Sequence, residues 1–541
     1  MAQTPYRANL QTMAIPMLSE YSGRTVIVGQ QDQVFVSGVS IGSTAGASDS
    51  IAGVPSDRGV PQIYYAHNVM PSTYGLQSIG YNVEYSGVDW QGVLPSELKF
   101  KDATLLQGAQ IVASKPVGTG YKTYISAPKS GANSVFTLDP LAKRWKLVSG
   151  APEVTDTTRI TVATVNGVSY IYFSNIGCYV YDNNANALVA RTLTGLDAPT
   201  ILGIVAANGY LIAFSQSAIA WSSVVNVEDF TPSDVSGAGG GQVQEAKGKI
   251  ITAAVTALGF ILYTEANAVS VIYSGNASFP WNLKAIPSSG GVASAEMVSA
   301  EQIGGYQQVY STNGLQQIGH TGSKTVAPQI TDFIAGQLFE DYDTDTGKFS
   351  KTDFTWTMRK GLSVIADRYI LVSYGLWPTA DLTHAIVLDV AQNRMGKLKL
   401  THAFSFELRS LQAQITETPR GSIAFLQSNG DIKSVNFNYT ADAPDSIMLL
   451  GKYQYVRQRM LELHEVELEN VRTGADFRIE ALPALDGKNF QAPVAGYLRQ
   501  DTGDYRDYMF DDCVGTNVSL LFKGKFNILS LVLWFSPHGR F

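Results

Sequence analysis

Short apolar runs, each bounded by Gly, Asn or Asp, recur along the middle of the chain. The runs are rich in aromatic and β-branched residues, and each is followed, after one further turn, by a second run. Five clear pairs of runs occupy 120–125 with 134–139, 166–173 with 177–182, 208–214 with 218–222, 258–263 with 268–273, and 303–310 with 313–318. Two looser pairs occupy 367–374 with 385–389 and 420–425 with 430–435. Aromatic and β-branched residues suit a pleated sheet and Gly permits the positive φ of a tight turn, so this pattern predicts repeated β-hairpins.

The pairs recur at intervals of roughly 40 to 60 residues, which is the period of β-propeller blades with about four strands each. A single four-stranded sheet cannot bury both of its faces, so such blades must stack around an axis. The sequence therefore predicts a mainly β protein whose residues 101–440 form an irregular β-propeller of six or seven blades.

The two flanking regions differ from this repeat. Residues 1–100 are rich in Gly, Ser, Gln and Pro, which predicts an extended or β segment with a flexible loop at 43–59. Residues 460–468 alternate almost strictly between apolar and polar side chains, which predicts a half-buried strand whose Glu residues face water. Residues 526–535 predict a final strand. We expect a small additional β domain at 441–541, with N-terminal residues as candidates to complete it.

Composition and charge narrow the class of protein. The 541 residues include 50 Gly and 27 Tyr but only 16% charged residues, which excludes a coiled coil. A hydrophobic fraction of 45% excludes a disordered chain. The net charge is −7, so the basic footprint of a protein that wraps nucleic acid is absent.

Cysteine usage and hydropathy indicate a soluble protein made in a cytosol. The two cysteines, Cys178 and Cys513, are too far apart in sequence for a CxxC motif, and we expect two buried or half-buried thiols. No secretory signal pattern opens the sequence. The most apolar stretch, 250–263, is shorter than the roughly 18 residues that a membrane helix needs.

Three sequence features that could carry chemistry instead favour a structural interpretation. Residues 38–42 read Gly-Val-Ser-Ile-Gly, but a flexible loop follows where a serine hydrolase needs a helix. The glycine run 237–241 lacks a Lys at P-loop spacing, and we expect a loop at a blade edge. The six His residues show neither an HxH nor an HExxH spacing, so zinc is not expected. The sequence predicts no catalytic residue and no cofactor.

One acidic loop is a weak candidate for calcium binding. Asp341, Asp343 and Asp345 place carboxylates on alternate residues, which suits a hard cation. The bidentate Glu expected at the twelfth position of an EF-hand loop is replaced by Thr352. We therefore favour a solvated acidic insertion at about 325–360, between two blades.

Several segments resemble, in the same order, the tail nozzle or tail-hub proteins of short-tailed bacteriophages, which stabilise packaged DNA. Residues 218–223 and 226–230 are similar to that family's strand, Trp-Ser and Asp-Phe signature, and the glycine run 237–241 follows it. Residues 258–265 and 310–315 resemble the next two strand and hairpin segments. Residues 66–71 and 74–80 are similar to the opening segment, so the resemblance covers about 60–470.

This resemblance implies a structural virion protein rather than an enzyme. It implies a homo-oligomeric ring, typically a homohexamer, in the virion tail below the portal and adaptor. The ring would be assembled in the host cytoplasm, bind the adaptor and a tail fibre or needle protein, and conduct viral DNA without binding it specifically. A chain of low basic content suits a tube along which DNA must slide. Gating by a loop is part of this expectation, with 43–59 and 237–241 as flexible candidates.

Two other functions remain open from the residues alone. A propeller-based polysaccharide-degrading tail protein would need a pair of carboxylates at one mouth of the propeller. A receptor- or glycan-binding module would need exposed Tyr and Trp rings. Neither arrangement can be placed in space from the sequence.

Overall fold

The structure is a computed structural model in which almost all of the described residues form β-strands and the turns between them. It describes residues 11–16, 25–28, 33–36, 62–67, 69–72, 75–78, 80–85, 110–117, 120–129, 132–139, 144–153, 158–182, 184–185, 187–276, 279–326, 339–343, 348–351, 360–365, 368–375, 381–390, 394–402, 404–408, 422–426, 432–436, 446–453, 459–469, 472–485, 490–503, 505–528 and 530–540. Within these ranges the helical segments are two short 3₁₀ turns, Ala198–Thr200 and Ala295–Met297.

Seven strands precede the repeats. They are β1 (Gln11–Pro16), β2 (Thr25–Val28), β3 (Gln33–Val36), β4 (Gln62–His67), β5 (Val69–Ser72), β6 (Gly75–Ser78) and β7 (Gly80–Tyr85).

The next twenty strands form five antiparallel sheets of four strands each, in sequence order. The first and second sheets are β8 (Gln110–Val117), β9 (Gly120–Lys129), β10 (Ala132–Asp139), β11 (Arg144–Leu147), and β12 (Ile160–Val165), β13 (Val168–Phe173), β14 (Gly177–Asp182), β15 (Ala187–Arg191). The third and fourth are β16 (Gly203–Ala207), β17 (Tyr210–Phe214), β18 (Ala218–Trp221), β19 (Gly239–Gln242), and β20 (Ile250–Thr256), β21 (Gly259–Thr264), β22 (Ala268–Tyr273), β23 (Trp281–Ala285). The fifth is β24 (Val298–Ile303), β25 (Tyr306–Ser311), β26 (Gly314–Gly319), β27 (Gly322–Thr325).

Two further sheets and a separate hairpin complete the repeats. The hairpin is β28 (Phe339–Asp343) with β29 (Lys348–Lys351). The sixth sheet begins with β30 (Lys360–Ile365), β31 (Tyr369–Tyr374), β32 (Leu382–Asp389) and β33 (Arg394–His402). The seventh contains β34 (Phe404–Leu408), β35 (Ser422–Leu426) and β36 (Ile432–Asn436), and its fourth, outermost strand is β7 from the N-terminal region.

These seven sheets are the blades of a β-propeller. The innermost strands of successive blades contact one another around a ring, and β34 of the seventh blade contacts β8 of the first. Because β7 completes the seventh blade, distant parts of the chain close the ring. The predicted mainly β propeller is confirmed, with seven four-stranded blades among the described strands.

The remaining strands form a second unit together with the N-terminus. They are β37 (Ser446–Tyr453), β38 (Arg459–Glu469), β39 (Arg472–Thr473), β40 (Arg478–Ala484), β41 (Val494–Ala495), β42 (Tyr497–Asp501), β43 (Tyr505–Gly515), β44 (Asn517–Gly524), β45 (Phe526–Ile528) and β46 (Ser530–Arg540). One sheet has the order β3-β2-β1-β46-β38-β43-β42, and the other has the order β4-β37-β44-β40-β41. Phe522 of one sheet and Phe510 of the other belong to one hydrophobic core. The additional small β domain is therefore built from both ends of the chain.

The propeller and this second unit share a sheet. Strand β33 of the sixth blade pairs with β5, and the sheet continues through β6 and β45 to β39. The sixth blade is thus extended by strands from both flanking regions of the sequence.

The alternating strand at 460–468 is present, but the position of its Glu side chains differs from the expectation. Glu465 is 2% exposed, because the pairing register shifts between Leu463 and Glu465. Glu465 lies beside buried Asp507, and Arg499 approaches both carboxylates at 3.8 and 3.6 Å. The trace of this bulge in the sequence is the polar pair His464-Glu465, which breaks the alternation between Leu463 and Val466.

Candidate interaction surface

The propeller has two ends that differ in chemistry. We name the strands of each blade A to D from the inside outward. The A–B and C–D turns then lie at one end of a blade, called the A–B end, and the B–C turn lies at the opposite end, called the B–C end. The difference between the two ends is clearest in blades two to five, whose side chains are described almost continuously.

At the B–C end, each of these four blades has an aromatic residue followed by a hydroxyl residue. The four pairs are Phe173-Ser174, Phe214-Ser215, Tyr263-Thr264 and Tyr310-Ser311. The aromatic ring is buried and the hydroxyl bonds to the backbone near the turn. An aromatic residue followed by Ser or Thr is therefore a sequence signal for the B–C turn, which apolar runs alone do not reveal.

Thr264 shows how tightly this end is connected. Its hydroxyl is fully buried and lies 2.9 Å from the carbonyl oxygen of Lys247, to which it donates. The Thr264 hydroxyl oxygen also accepts from the N–H of Asn267 at 2.9 Å. The Asn267 amide in turn donates to the carbonyl of Glu245 at 3.0 Å. The turn thereby holds the connection between the third and fourth blades.

At the A–B end, the turns are short and the apolar side chains are exposed. Asn166-Gly167 and Asn208-Gly209 have positive φ at both residues, as two-residue hairpin turns require. On blades two to five, nine of the eleven exposed large hydrophobic residues lie at this end. They are Val168, Val224, Val225, Val235, Val255, Leu258, Tyr273, Phe279 and Tyr306. Single exposed apolar residues are ordinary, but such a concentration at one end is typical of a contact surface.

The 222–238 loop of the third blade carries three of these residues. Its Ser223 N–H donates to the carbonyl of Asp229 at 2.8 Å, which closes a compact turn with Val225 at its tip. Phe230 is buried between the second and third blades, and its N–H donates to the carbonyl of Thr194 at 2.8 Å. The Trp-Ser and Asp-Phe residues that resemble the phage signature therefore have a structural role. They fill the outer space between two blades and hold two valines in solvent.

The glycine run 237–241 is not the loop that the sequence suggested. Gly239–Gln242 is strand β19, the outermost strand of the third blade. A Cβ on Gly239 would lie 2.9 Å from the Trp221 ring, and the Trp221 Nε1 donates to the carbonyl of Gly237 at 2.9 Å. The glycines are needed because the indole packs directly against this strand, so a paired strand replaces a free loop.

An aromatic cluster lies next to this loop, where the fourth blade meets the third. Phe279 packs edge-on against Trp221 at a centroid distance of 5.0 Å. Tyr273 lies 6.0 Å from Tyr210 and 5.7 Å from buried Trp281. Phe279 and Tyr273 are each 39% exposed. They continue the apolar surface from the third blade onto the fourth.

The charge of the third blade and of its connections to the two neighbouring blades is one-sided. Residues 192–246 contain no Lys or Arg, whereas they contain five acidic residues, Asp197, Glu228, Asp229, Asp234 and Glu245. Glu228 is 3.8 Å from Arg191 and accepts from the Tyr170 hydroxyl at 3.4 Å. Burial, together with the Glu228 charge, raises the pKa of Tyr170 to about 12. A surface of this charge repels phosphate groups.

The weak calcium candidate falls in the hairpin between the fifth and sixth blades. Asp341 and Asp343 lie on strand β28 and pair with Ser350 and Lys348 of β29. Asp345 lies outside the described residues, as do residues 38–42 and the predicted loop 43–59. The side chains in the described part of the molecule form no cluster of three or more metal-ligating residues.

His320 is half-buried and both cysteines are buried. His320, at a turn of the fifth blade, bonds through its two ring nitrogens to the hydroxyls of Thr256 and Ser270 on the fourth blade. Burial lowers its pKa. Cys178 and Cys513 are buried free thiols, as expected, and burial raises the pKa of each to about 12. Thiols with pKa values this high are poor nucleophiles at neutral pH.

Comparison with known proteins gives structural likeness only. No protein-family profile matches the sequence, and no curated protein matches it. The structure of BamB from Moraxella catarrhalis is similar over 71% of this chain and 99% of that one, with 11% identity and a TM-score of 0.34. The structure of YCF48 from Cyanidioschyzon merolae is similar over 60% of this chain and 94% of that one, with 11% identity and a TM-score of 0.34. Neither likeness bears on what the chain does.

Across the described ranges, no helix has both the length and the hydropathy that crossing a bilayer requires.

Proposed function

We propose that this protein is a structural subunit of the tail nozzle of a short-tailed bacteriophage. Copies of the chain form a homo-oligomeric ring, as a homohexamer, below the portal and adaptor. The ring retains packaged DNA and conducts it during ejection, and it binds a tail fibre or needle protein on its other side. The protein acts in the virion tail after assembly in the host cytoplasm, and it carries out no covalent chemistry.

The observation that carries this proposal is the apolar, basic-free surface at the A–B end of the third and fourth blades. Val225 and Val235 are 90% and 98% exposed there, without a Lys or Arg between residues 192 and 246. Apolar side chains held in solvent favour contact between protein subunits. The absence of basic residues favours DNA that slides past the protein, because phosphates gain nothing by stopping there.

The resemblance to phage tail nozzle proteins supports the proposal, because the residues that carry it also build the exposed apolar surface. Trp221, Asp229 and Phe230 build the loop that presents this surface. The glycine run is a paired strand, so gating by residues 237–241 is dropped from the proposal. Any gate is a loop elsewhere in the ring.

The test is the mass of the purified protein in solution, measured by light scattering alone and with the neighbouring tail proteins. We expect a ring of several 58.4 kDa chains, either directly or once the adaptor is added. A chain that stays monomeric in both conditions contradicts the nozzle.

A receptor- or glycan-binding tail protein is the second candidate, and the aromatic cluster favours it. Tyr273 presents part of its ring to solvent beside Tyr210 and Trp281, and aromatic rings of this kind stack on sugars. Binding of host polysaccharide that is abolished by Tyr273→Ala, in a protein that stays monomeric, would favour this candidate over the nozzle.

A further inference from the structure

Two turns in the 222–238 loop of the third blade are built on the same plan. Ser223 and Ser233 each accept, through the side-chain hydroxyl, from the backbone N–H groups two and three residues further along, at 3.1 to 3.4 Å. The residue two positions after each serine is a valine, Val225 or Val235, and these side chains are 90% and 98% exposed. We call the segments 223–226 and 233–236 the valine turns.

Backbone hydrogen bonds close both valine turns. The Ser223 N–H donates to the carbonyl of Asp229 at 2.8 Å. The Ser233 N–H donates to the carbonyl of Ala238 at 3.1 Å, and the Gly237 N–H donates to the carbonyl of Ser233 at 2.9 Å. Each valine is therefore presented by a turn that is already formed, so a partner that binds it has little loop to order.

Valine is an uncommon choice for such positions. Turns usually carry Gly, Asn, Asp, Ser or Pro, because these residues favour the turn backbone. The two valines add almost nothing to the core of the third blade, since nearly all of their surface is in solvent. A β-branched side chain has few rotamers to lose when a partner buries it. The turns are thus suited to an apolar contact with another molecule.

The charge around the valine turns is acidic. Asp234 is exposed and directly precedes Val235, and Asp229 is half-buried at the base of the first turn. Among the described residues, neither carboxylate has a basic partner within 4 Å, whereas Glu228 is 3.8 Å from Arg191. Complementary charge across an interface favours the right partner. The surface that fits these turns is an apolar groove rimmed with Lys or Arg.

We propose that the valine turns dock into an apolar groove with a basic rim on a different protein of the tail, the adaptor or the fibre or needle protein. This inference rests on the proposed function, because it assigns a surface through which the ring binds a neighbour. The contact combines burial of two stiff apolar side chains with opposite charges at their edge, which is the composition of a specific interface.

Charge favours a different protein over a second copy of this chain. A contact of this loop with itself would place Asp234 near Asp234, and like charges across an interface are unfavourable. Val189 with Arg191 and Leu498 with Arg499 are two other places in the described part where an exposed apolar residue adjoins a basic one. Each of these arginines already lies within 4 Å of a carboxylate, so neither place offers an uncompensated basic rim.

The first experiment identifies what touches the valine turns in the assembled tail. Cys178 and Cys513 are buried, so Val225→Cys adds a single accessible thiol, which is labelled with a benzophenone maleimide. The labelled full chain is assembled with the purified adaptor and the purified fibre or needle protein and is then irradiated. We expect cross-links to one of these two proteins, in a segment that contains Lys or Arg. Cross-links confined to other copies of this chain would overturn the proposal.

The second experiment measures the affinity of the full chain for the cross-linked protein. The double variant Val225→Ser and Val235→Ser removes both apolar side chains and keeps the serine caps, and we expect about 100-fold weaker binding. Val189→Ser is the matched control, because it removes an exposed valine from the outermost strand of the second blade, and binding should be unchanged. Asp234→Asn should weaken binding about threefold at about 0.05 M salt and have no effect at about 0.5 M, where exposed charges are screened.

The outcomes separate this contact from the function on which it rests. Circular dichroism and thermal unfolding confirm that each variant is folded. A double variant that binds as tightly as the wild-type protein, or a control that binds as weakly as the double variant, would overturn the docking of the valine turns and leave the ring in place. A wild-type chain that stays monomeric and binds neither neighbouring protein would overturn both.

Discussion

The two ends of blades two to five are made from the same repeated hairpins, yet they are built for different purposes. The B–C end carries a hydroxyl in each blade, buried in three of the four and half-buried at Ser215, and these hydroxyls bond to backbone groups in and around the turn. The A–B end turns on Asn-Gly and Gly-Gly pairs and leaves apolar side chains in solvent. Stability is therefore concentrated at one end, and the other end is free to make contacts. A propeller can separate these tasks because each blade contributes one turn region to each end.

The largest expected change in stability comes from a Gly→Ala substitution, made once at each end of the blades. Gly291 packs against the B–C turn of the fourth blade, and a Cβ there would lie 1.9 Å from the Glu265 carbonyl oxygen. Gly322, at a turn of the A–B end, would place its Cβ at least 4 Å from any neighbour. We expect Gly291→Ala to lower the free energy of unfolding by about 3 kcal/mol, since backbone must move to relieve the overlap. We expect Gly322→Ala to be neutral or to stabilise by up to about 0.5 kcal/mol.

Chemical denaturation of the two variants, compared with the wild-type protein, checks this prediction. Neither Gly has the positive φ at which Ala would be strained in its own right, so the comparison isolates the space around the Cβ. Equal losses of stability in both variants would show that the two ends are packed alike.

A second, smaller test removes a hydroxyl at each end without changing the shape of the side chain. The Thr264 hydroxyl is buried and bonded to the backbone at the B–C end, whereas the exposed Thr164 hydroxyl has only Ser169 at 3.2 Å near the A–B end. We expect Thr264→Val to cost about 2 kcal/mol, because it leaves buried N–H and C=O groups without a partner. We expect Thr164→Val to change stability by less than about 0.5 kcal/mol.

The unfolding midpoints of these two variants in urea are the measurement. A loss of stability at Thr164 as large as that at Thr264 would remove the distinction between a bonded end and a free end.

The same contrast explains how far the sequence predicts the molecule. The hairpins follow from local signals, because an apolar run and an Asn-Gly turn act within a few residues. The closing strand β7 and the pairing of β1 with β46 depend on contacts between opposite ends of the chain, for which a short window carries no signal. The same is true of Gly239–Gln242, because only the packing of the Trp221 indole makes that glycine run a strand.

The interaction surface was predictable only in part. The absence of Lys and Arg from 192–246 is visible in the sequence, but its meaning depends on the fold, which places Val225, Asp234 and Val235 in exposed turns. For Glu465 the sequence prediction was wrong. The alternating pattern predicted a side chain that faces water, but a bulge in the strand buries it. Patterns of period two assume a regular strand, and bulges break that assumption.

The smallest effect concerns pH and the junction between the fourth and fifth blades. His320 bonds to the hydroxyls of Thr256 and Ser270, and burial lowers its pKa below the ordinary value of 6.5. Between the lowered pKa and 6.5, the unfolded chain binds a proton that the folded chain does not. The stability contributed by neutral His320 is therefore present above pH 6.5 and is lost as the pH falls through the folded pKa. The effect should be modest, because both hydroxyls can accept from the protonated ring.

Replacing His320 with Gln should flatten this part of the stability profile, measured by urea unfolding between pH 5 and pH 8 (a range of about 3 pH units around the titration of histidine). The other five histidines are the same in both proteins, so the difference between the two profiles isolates His320. Parallel profiles for the two proteins would show that this histidine does not couple the blades to pH.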